Sequence, residues 1–385
     1  MPLLTNDLGR HIRSQRLAVV EEAIRRVLQR GHFILGPEVQ AFEAEFAAYC
    51  GASHAVGVAN GTDALELCLR ALGIAPRDRV ALVANAGGYS TAAAFALGAR
   101  PVYVDVDRSS LNLDPADLER VLAAGEVRAI IVTHLYGLLA DMPRVMALAL
   151  RFGVPVVEDC AQAHGARREG RCAGSWGRLA AFSFYPTKNL GAVGDAGAVV
   201  TSDPGLAEAV RELRQYGWSG KYRATRAGGR NSRLDEIQAA ILRGFLPLLD
   251  GWNMRRREIL GRYNDALKGL DVQLPPAPGT DQVAHLYVLR SQRRDHLRQA
   301  LAEQGIIADI HYPIPDYRQP AVAPSLGPTA PLPVTEECCS RVLTLPCFPE
   351  MTDQEVDQVA AIVARALADR PETSRVLRFG TRRWE

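Results

Sequence analysis

Lys188 stands in the run Ala181-Phe-Ser-Phe-Tyr-Pro-Thr-Lys-Asn-Leu-Gly191, with Phe184, Pro186 and Leu190 around it. Apolar surroundings disfavour an ammonium, so an amine there gives up its proton more readily and can condense with a carbonyl. Taken singly, a lysine is more often a solvated surface group. Asp159 stands in Val156-Val-Glu-Asp-Cys-Ala-Gln-Ala-His-Gly165, where a buried β run ends. Open α/β sheets place ligands at such ends, and a buried carboxylate needs a partner such as a protonated ring nitrogen. The bland reading is an acid that caps the next turn. In Ala59-Asn-Gly-Thr-Asp-Ala-Leu65 a strand ends, a glycine turns and a helix starts at once. The N–H groups of that start suit a phosphate, with Gly61 letting it approach and Thr62 adding a hydroxyl. Simple capping by Asn60, Thr62 or Asp63 accounts for the same residues. A fourth run, Gly228-Gly-Arg-Asn-Ser-Arg-Leu-Asp-Glu-Ile-Gln238, feeds two arginines and a glycine loop into a helix start, where Asp235 and Glu236 favour the positive dipole end.

The combination says more than its parts. A phosphate cradle, an acid at a strand end and a lysine on the next strand turn are the three handles that pyridoxal 5'-phosphate requires. The phosphate anchors it, the acid keeps the pyridine nitrogen protonated, and the lysine forms a Schiff base with its aldehyde.

These handles need a sheet to hold them. From residue 51 to about 202, β runs recur at 54–59, 80–84, 102–106, 129–134, 154–158, 180–184 and 198–201. Helical stretches such as 63–72 and 142–151 lie between most of them, which predicts an α/β domain with a largely parallel sheet covered on both faces. Apolar spacing predicts helices over 234–249 and 254–267. After a PPAPG loop come a strand at 285–289, a helix at 293–304 and a strand at 306–312, then a proline-rich stretch over 313–333 and helices near 336–342 and 353–368. The expected organisation is a large cofactor-binding domain over 1–250 and a smaller α+β domain over 251–385. Residues 1–50 read as helical and as packing on the small domain or on a dimer partner.

The chain of 385 residues carries 45 basic and 43 acidic groups, a net charge of +2, which provides no footprint for nucleic acid. Its seven cysteines form no C-x-x-C pair, so neither a disulfide framework nor a metal site is expected. There is no apolar N-terminal segment and no apolar run long enough to span a bilayer, so a cytoplasmic protein is expected.

Six segments, in order, resemble the DegT/DnrJ/EryC1/StrS family of sugar aminotransferases, a branch of the fold type I pyridoxal-phosphate enzymes. They are Phe33-Ile-Leu-Gly-Pro37, Asn60-Gly-Thr-Asp-Ala-Leu65, Pro101-Val-Tyr-Val-Asp-Val-Asp107, Glu158-Asp-Cys-Ala-Gln-Ala-His-Gly165, Phe182-Ser-Phe-Tyr-Pro-Thr-Lys188 and Asn231-Ser-Arg-Leu-Asp-Glu-Ile-Gln238. The resemblance implies a seven-stranded sheet, and it implies roles. Lys188 would hold the cofactor and then act as general base, and Asp159 would pair with the ring nitrogen. Gln162 would bond the ring 3-oxygen and Ala161 would pack beneath the ring. Gly61, Thr62 and Ser183 would bind the phosphate. Asn231 would reach the cofactor of the neighbouring subunit, making a homodimer the smallest active unit. The implied reaction moves an amino group from L-glutamate to a nucleotide-linked keto-sugar, with pyridoxamine 5'-phosphate in between.

Tyr185, His311, Tyr312 and Tyr317 are expected substrate contacts. The basic residues Lys221, Arg223, Arg226 and Arg230 suit a nucleotide diphosphate or a solvated loop equally. Two departures stand out. The family's stacking aromatic falls on Gly87 in Asn85-Ala-Gly-Gly-Tyr-Ser-Thr91, leaving Tyr89 two places on as its replacement, and the histidine of many relatives falls at Tyr317 or its neighbour. Rival readings are an aminotransferase of a keto-cyclitol and a non-catalytic cofactor-binding regulator. A dehydratase of the same family would have replaced Lys188.

Overall fold

The computed structural model describes residues 2–326 and 329–369; residues 327–328 and the last stretch of the expected small domain, 370–385, lie outside the described residues. The seven β runs form β1 (His54–Val58), β2 (Arg79–Val83), β3 (Arg100–Val104), β4 (Val127–Thr133), β5 (Val156–Asp159), β6 (Leu179–Ser183) and β7 (Gly197–Thr201). They make one sheet in the order β1-β7-β6-β5-β4-β2-β3. Every pairing from β6 to β3 is parallel, and β7 runs antiparallel between β1 and β6. Helices lie on the two faces, so the strands are buried along most of their length, with exceptions such as Arg100 and Arg128.

The connecting helices are punctuated as their sequences dictate. The side chains of Asp114, Asp141 and Asp203 each cap a helix that starts with proline at its first or second position, where the missing N–H costs nothing. Gly153 closes the helix Met142–Phe152 in the left-handed conformation.

The N-terminal segment is helical from Leu8. Its two long helices, α1 (Leu17–Arg30) and α2 (Pro37–Cys50), rest on α3 (Glu236–Phe245): Val20, Ala23, Val27, Phe42 and Phe46 share one apolar cluster with Ile241, Leu242 and Phe245. Leu3 bonds to the backbone of Gly305 and Ile307, and Arg10 pairs with Glu355, so the first residues reach the C-terminal part of the same chain.

The expected helix over 234–249 begins at Glu236, because Asp235 is its cap, and its last turn tightens to a 3-10 helix at Pro247. No break separates it from the next helix, which starts at Leu249 and runs to Leu267. The strand expected over 306–312 does not form. Asp309 exchanges both backbone bonds with Thr344, and Ile306 makes a single bridge to Leu3. The partner of β8 (Tyr287–Arg290) is instead β9 (Val342–Leu345), which directly follows the helix Pro333–Arg341. The helix Asp353–Ala368 matches its expected span and opens with a Thr352–Glu355 capping box. A separate apolar cluster, drawn from residues between Ile259 and Ala366, fills the C-terminal part.

Candidate active site

The site is built at the carboxyl edge of the sheet. Gly197, the first residue of β7, pairs on one side with Val58 and on the other with Ser183. That register brings the turn after β1 onto the end of β6. The turn opens the helix Gly61–Ala71, and the Asn60 side chain caps it by accepting the Asp63 N–H at 2.8 Å. Capping and anion binding are therefore compatible, since the cap leaves the first N–H groups of the helix without an intrahelical partner. Gly61 is required by close approach: a Cβ there would lie 2.5 Å from the Cβ of Ser183.

Asp159 ends β5 between Thr133 and Ala181 of the flanking strands. It is buried, and its bonds are long, 3.2 Å from the Ala161 N–H and 3.3 Å from the Thr133 hydroxyl. No cation among the described residues lies within ion-pair distance. Burial therefore pushes its carboxyl above the usual range, against the pull of the Ala161 N–H and of Lys188. Lys188 sits in a turn closed by its N–H to the Tyr185 carbonyl at 2.8 Å. Burial lowers its amine to about 8, with Asp159 opposing.

Lys188, Asp159, Ala161, Gly61, Thr62 and Ser183 all open on one cavity of about 710 Å³. Tyr89, Tyr185, His311 and Tyr312 also face it. Gln162 stands one layer back, with its carbonyl oxygen accepting the Tyr136 N–H at 2.7 Å and its amide donating to the Tyr312 hydroxyl at 3.3 Å. The remaining expected residues lie elsewhere. The Tyr317 ring packs on Tyr103 and its hydroxyl donates to Glu336 at 2.6 Å, so Tyr317 is a packing residue of the proline-rich segment. Arg230 pairs with Asp63 and Glu66, and Arg226 with Glu212. Lys221 and Asn231 are exposed on this chain, outside the cavity.

Tyr89 is half exposed at the cavity wall. The space beside Gly87 belongs to another aromatic: a Cβ on Gly87 would meet the Tyr312 ring at 2.9 Å.

Sequence reasoning missed His285, which was only the first residue of an expected strand. It is buried on the cavity wall. The Asn189 amide donates to Asn253 at 2.8 Å and to the Val283 carbonyl at 3.0 Å, so the Asn189 oxygen must accept from His285 Nδ1 at 3.0 Å. The ring is thereby oriented with Nε2 unprotonated, and burial holds it neutral, well below its usual pKa. Adjacency of Asn189 to Lys188 was the available signal. Thr5, Asn6 and Asp195 also line the cavity, brought there by tertiary packing.

His134, Glu158 and Cys160 have ligand atoms close enough to share an ion. The Glu158 carboxylate, however, already accepts three N–H groups, from Gly174, Trp176 and Gly177, at 2.8–3.0 Å. His134 Nδ1 accepts the Ala140 N–H, so its Nε2 donates to Glu158 at 3.0 Å. The cluster is a satisfied hydrogen-bond hub that holds the 174–177 turn beneath β5.

A buried acid without a cation, a half-buried amine made easier to deprotonate and a helix start where any side chain at residue 61 would collide together fit a flat cationic ring with an anionic tail. Comparisons with known proteins agree. The dTDP-3-amino-3,4,6-trideoxy-alpha-D-glucose transaminase of Streptomyces venezuelae is 48% identical over 87% of this chain and 88% of its own length. The UDP-N-acetyl-3-dehydro-alpha-D-glucosamine 3-aminotransferase of Acidithiobacillus ferrooxidans is 43% identical over 94% of this chain and 97% of its own. The crystal structure of S. venezuelae DesV in complex with a ketimine intermediate superposes with a TM-score of 0.90 at 46% identity, covering 96% of this chain and 98% of that one. The family model of the DegT/DnrJ/EryC1/StrS aminotransferases matches residues 17–364, and this chain belongs to that family as an aminotransferase with its fold type I sheet.

Proposed function

We propose that this aminotransferase carries pyridoxal 5'-phosphate on Lys188 and moves an amino group from L-glutamate to a 3-keto sugar attached to a nucleoside diphosphate. The observation that carries the reading is one cavity onto which Lys188, Asp159 and the Gly61–Thr62 helix start all open. The choice of a 3-keto over a 4-keto substrate rests on the 3-amino sugar names of the relatives described above.

Bound there, the cofactor supplies an electron sink for the carbanion formed beside the transferred nitrogen. The chain's own residues do the rest. Gly61 and Thr62, with Ser183, hold the phosphate at the helix start. Asp159 keeps the ring nitrogen protonated, and that cation is the partner its buried carboxylate lacks. Ala161 would pack beneath the ring, and Gln162, one layer back, holds the Tyr312 hydroxyl at the cavity wall and would reach the 3-oxygen only with its second amide hydrogen. Lys188 would hold the cofactor's aldehyde carbon, and its amine, which burial makes easier to deprotonate, would serve as the general base that moves the proton from the donor carbon. Neutral His285 adds no charge to oppose Lys188.

Tyr185 and His311 lie where a sugar would enter. Exposed Lys221 and Arg223 are cations of the basic cluster that would suit a diphosphate, whereas Arg230 is engaged by Asp63 and Glu66 and Arg226 by Glu212. In a homodimer the partner subunit's Asn231 would complete the phosphate site. The cofactor is held by a domain over 1–250, with 251–385 as the smaller domain; the separate apolar cluster between Ile259 and Ala366 supports that division. A cytoplasmic location fits seven free, buried cysteines, and no described helix is long and apolar enough to cross a membrane.

The test is spectroscopic. Protein loaded with pyridoxal phosphate should absorb near the visible edge, lose that band on addition of L-glutamate, and regain it with a 3-keto nucleotide sugar. Recovery with 4-keto sugars alone would refute the substrate assignment. A Lys188→Ala protein that transaminates at a comparable rate would refute the role of Lys188.

A further inference from the structure

Two consecutive glycines, Gly87 and Gly88, take φ of +80° and +84° between β2 and the helix Tyr89–Ala96. A Cβ on Gly87 would lie 2.9, 3.0 and 3.1 Å from three ring carbons of Tyr312. The ring therefore occupies the volume that a side chain at 87 would need. Tyr312 comes from a segment more than two hundred residues away, and that segment is tied down on both sides of it. The His311 carbonyl accepts from the Tyr136 hydroxyl. The Asp316 N–H donates to the Ala84 carbonyl at 2.8 Å, and its carboxylate accepts from Thr91 at 2.7 Å. Tyr312 faces the cavity, and its hydroxyl accepts from Gln162, three residues after Asp159 on the same turn.

We propose that Gly87 and Tyr312 are a matched pair: the missing side chain at 87 admits the Tyr312 ring, and that ring is the aromatic surface against which the cofactor packs. The assignment rests on the cofactor reading above and gives to Tyr312 the role that the local sequence suggested for Tyr89. Tyr89, half exposed at the wall, is a bystander to cofactor packing.

The experiment measures the affinity of the apo-protein for pyridoxal phosphate, by titration of the absorbance band, for wild type, Tyr312→Ala, Gly87→Ala, the double variant, Tyr312→Phe and Tyr89→Ala. Each of the first two single changes should weaken binding about tenfold, the size of one aromatic packing contact. The double variant should bind no worse than Tyr312→Ala, because an alanine at 87 then meets open space. The strain of alanine at positive φ is present in both backgrounds and cancels from the cycle. Tyr312→Phe and Tyr89→Ala should stay within about threefold of wild type.

Additive losses in the double variant, or wild-type affinity in Tyr312→Ala, would overturn the pairing while leaving the cofactor reading intact. If wild type binds no pyridoxal phosphate, the reading and the pairing fall together. Thermal unfolding of each apo-protein shows whether it is folded, and Tyr312→Leu, which fills the space without a ring, replaces Tyr312→Ala if the latter is not; it should show the same loss.

Discussion

Asp316 should make the apo-protein less stable as pH rises, and Asp316→Asn should remove that dependence. The carboxylate is buried under the proline-rich segment, accepts one bond from Thr91, and has a second oxygen with no partner. Burial raises its carboxyl from 3.8 to about 7, against the Thr91 bond. The unfolded chain releases this proton near the ordinary value, and the folded chain keeps it up to about 7. Stability from this group is thus complete below the unfolded pKa, falls between it and the folded pKa, and falls no further above. A gap of roughly three units at about 1.4 kcal/mol each bounds the loss near 4 kcal/mol, and relaxation around a site that is not fully sealed brings the expectation to about 1–3 kcal/mol. Asparagine has the shape of the protonated acid, can still accept from Thr91 and cannot ionise. Urea unfolding of the apo-protein at pH 5 and pH 8 reads the effect. The variant should match wild type within about 1 kcal/mol at pH 5 and exceed it by about 1–3 kcal/mol at pH 8. Equal stability of the two proteins at pH 8 would refute a strained, ionised Asp316.

Other outcomes follow from the same geometry. Gly61→Ala should cost about 1–3 kcal/mol in apo-protein unfolding, since the new methyl overlaps Ser183, and should weaken pyridoxal phosphate binding; a variant as stable and as tight as wild type contradicts the close approach. The Lys188 amine should react with an acylating reagent along a titration curve centred near pH 8, with the reactive, unprotonated form gained as pH rises, and the Asp159→Asn change should move that midpoint down by removing the charge that opposes burial. Glu236→Ala leaves the N–H groups of Gly36, Glu38 and Val39 without their acceptor and should cost about 2–5 kcal/mol, while Glu236→Gln, which can still accept, should cost less.

Position by position, local pattern carried much of the site. Asp159, Gly61 and Lys188 were readable because each sits at the end of a buried strand or a few residues past it, and strand ends in a parallel sheet share an edge. The seven runs were readable because strands covered on both faces are apolar without interruption. Helix starts were readable at Met142 and Asp353, where the Asp141 and Thr352 caps act on their own next turns.

What local pattern could not reach is whatever depends on contact between distant segments. The stretch 306–312 has a strand's composition, yet it makes only two isolated bridges, Ile306 to Leu3 and Asp309 to Thr344, the latter on a strand hidden at the end of a helical pattern. Tyr317 and Tyr312 lie five residues apart in one proline-rich run, and only packing sends one to Tyr103 and the other to the cavity. His285 reads as an ordinary strand residue until Asn189 orients it beside Lys188. Nothing in Asn85-Ala-Gly-Gly-Tyr tells why residue 87 lacks a side chain; a ring arriving from position 312 does. Local propensity is set by neighbours along the chain, whereas excluded volume and hydrogen-bond partnership are set by neighbours in space.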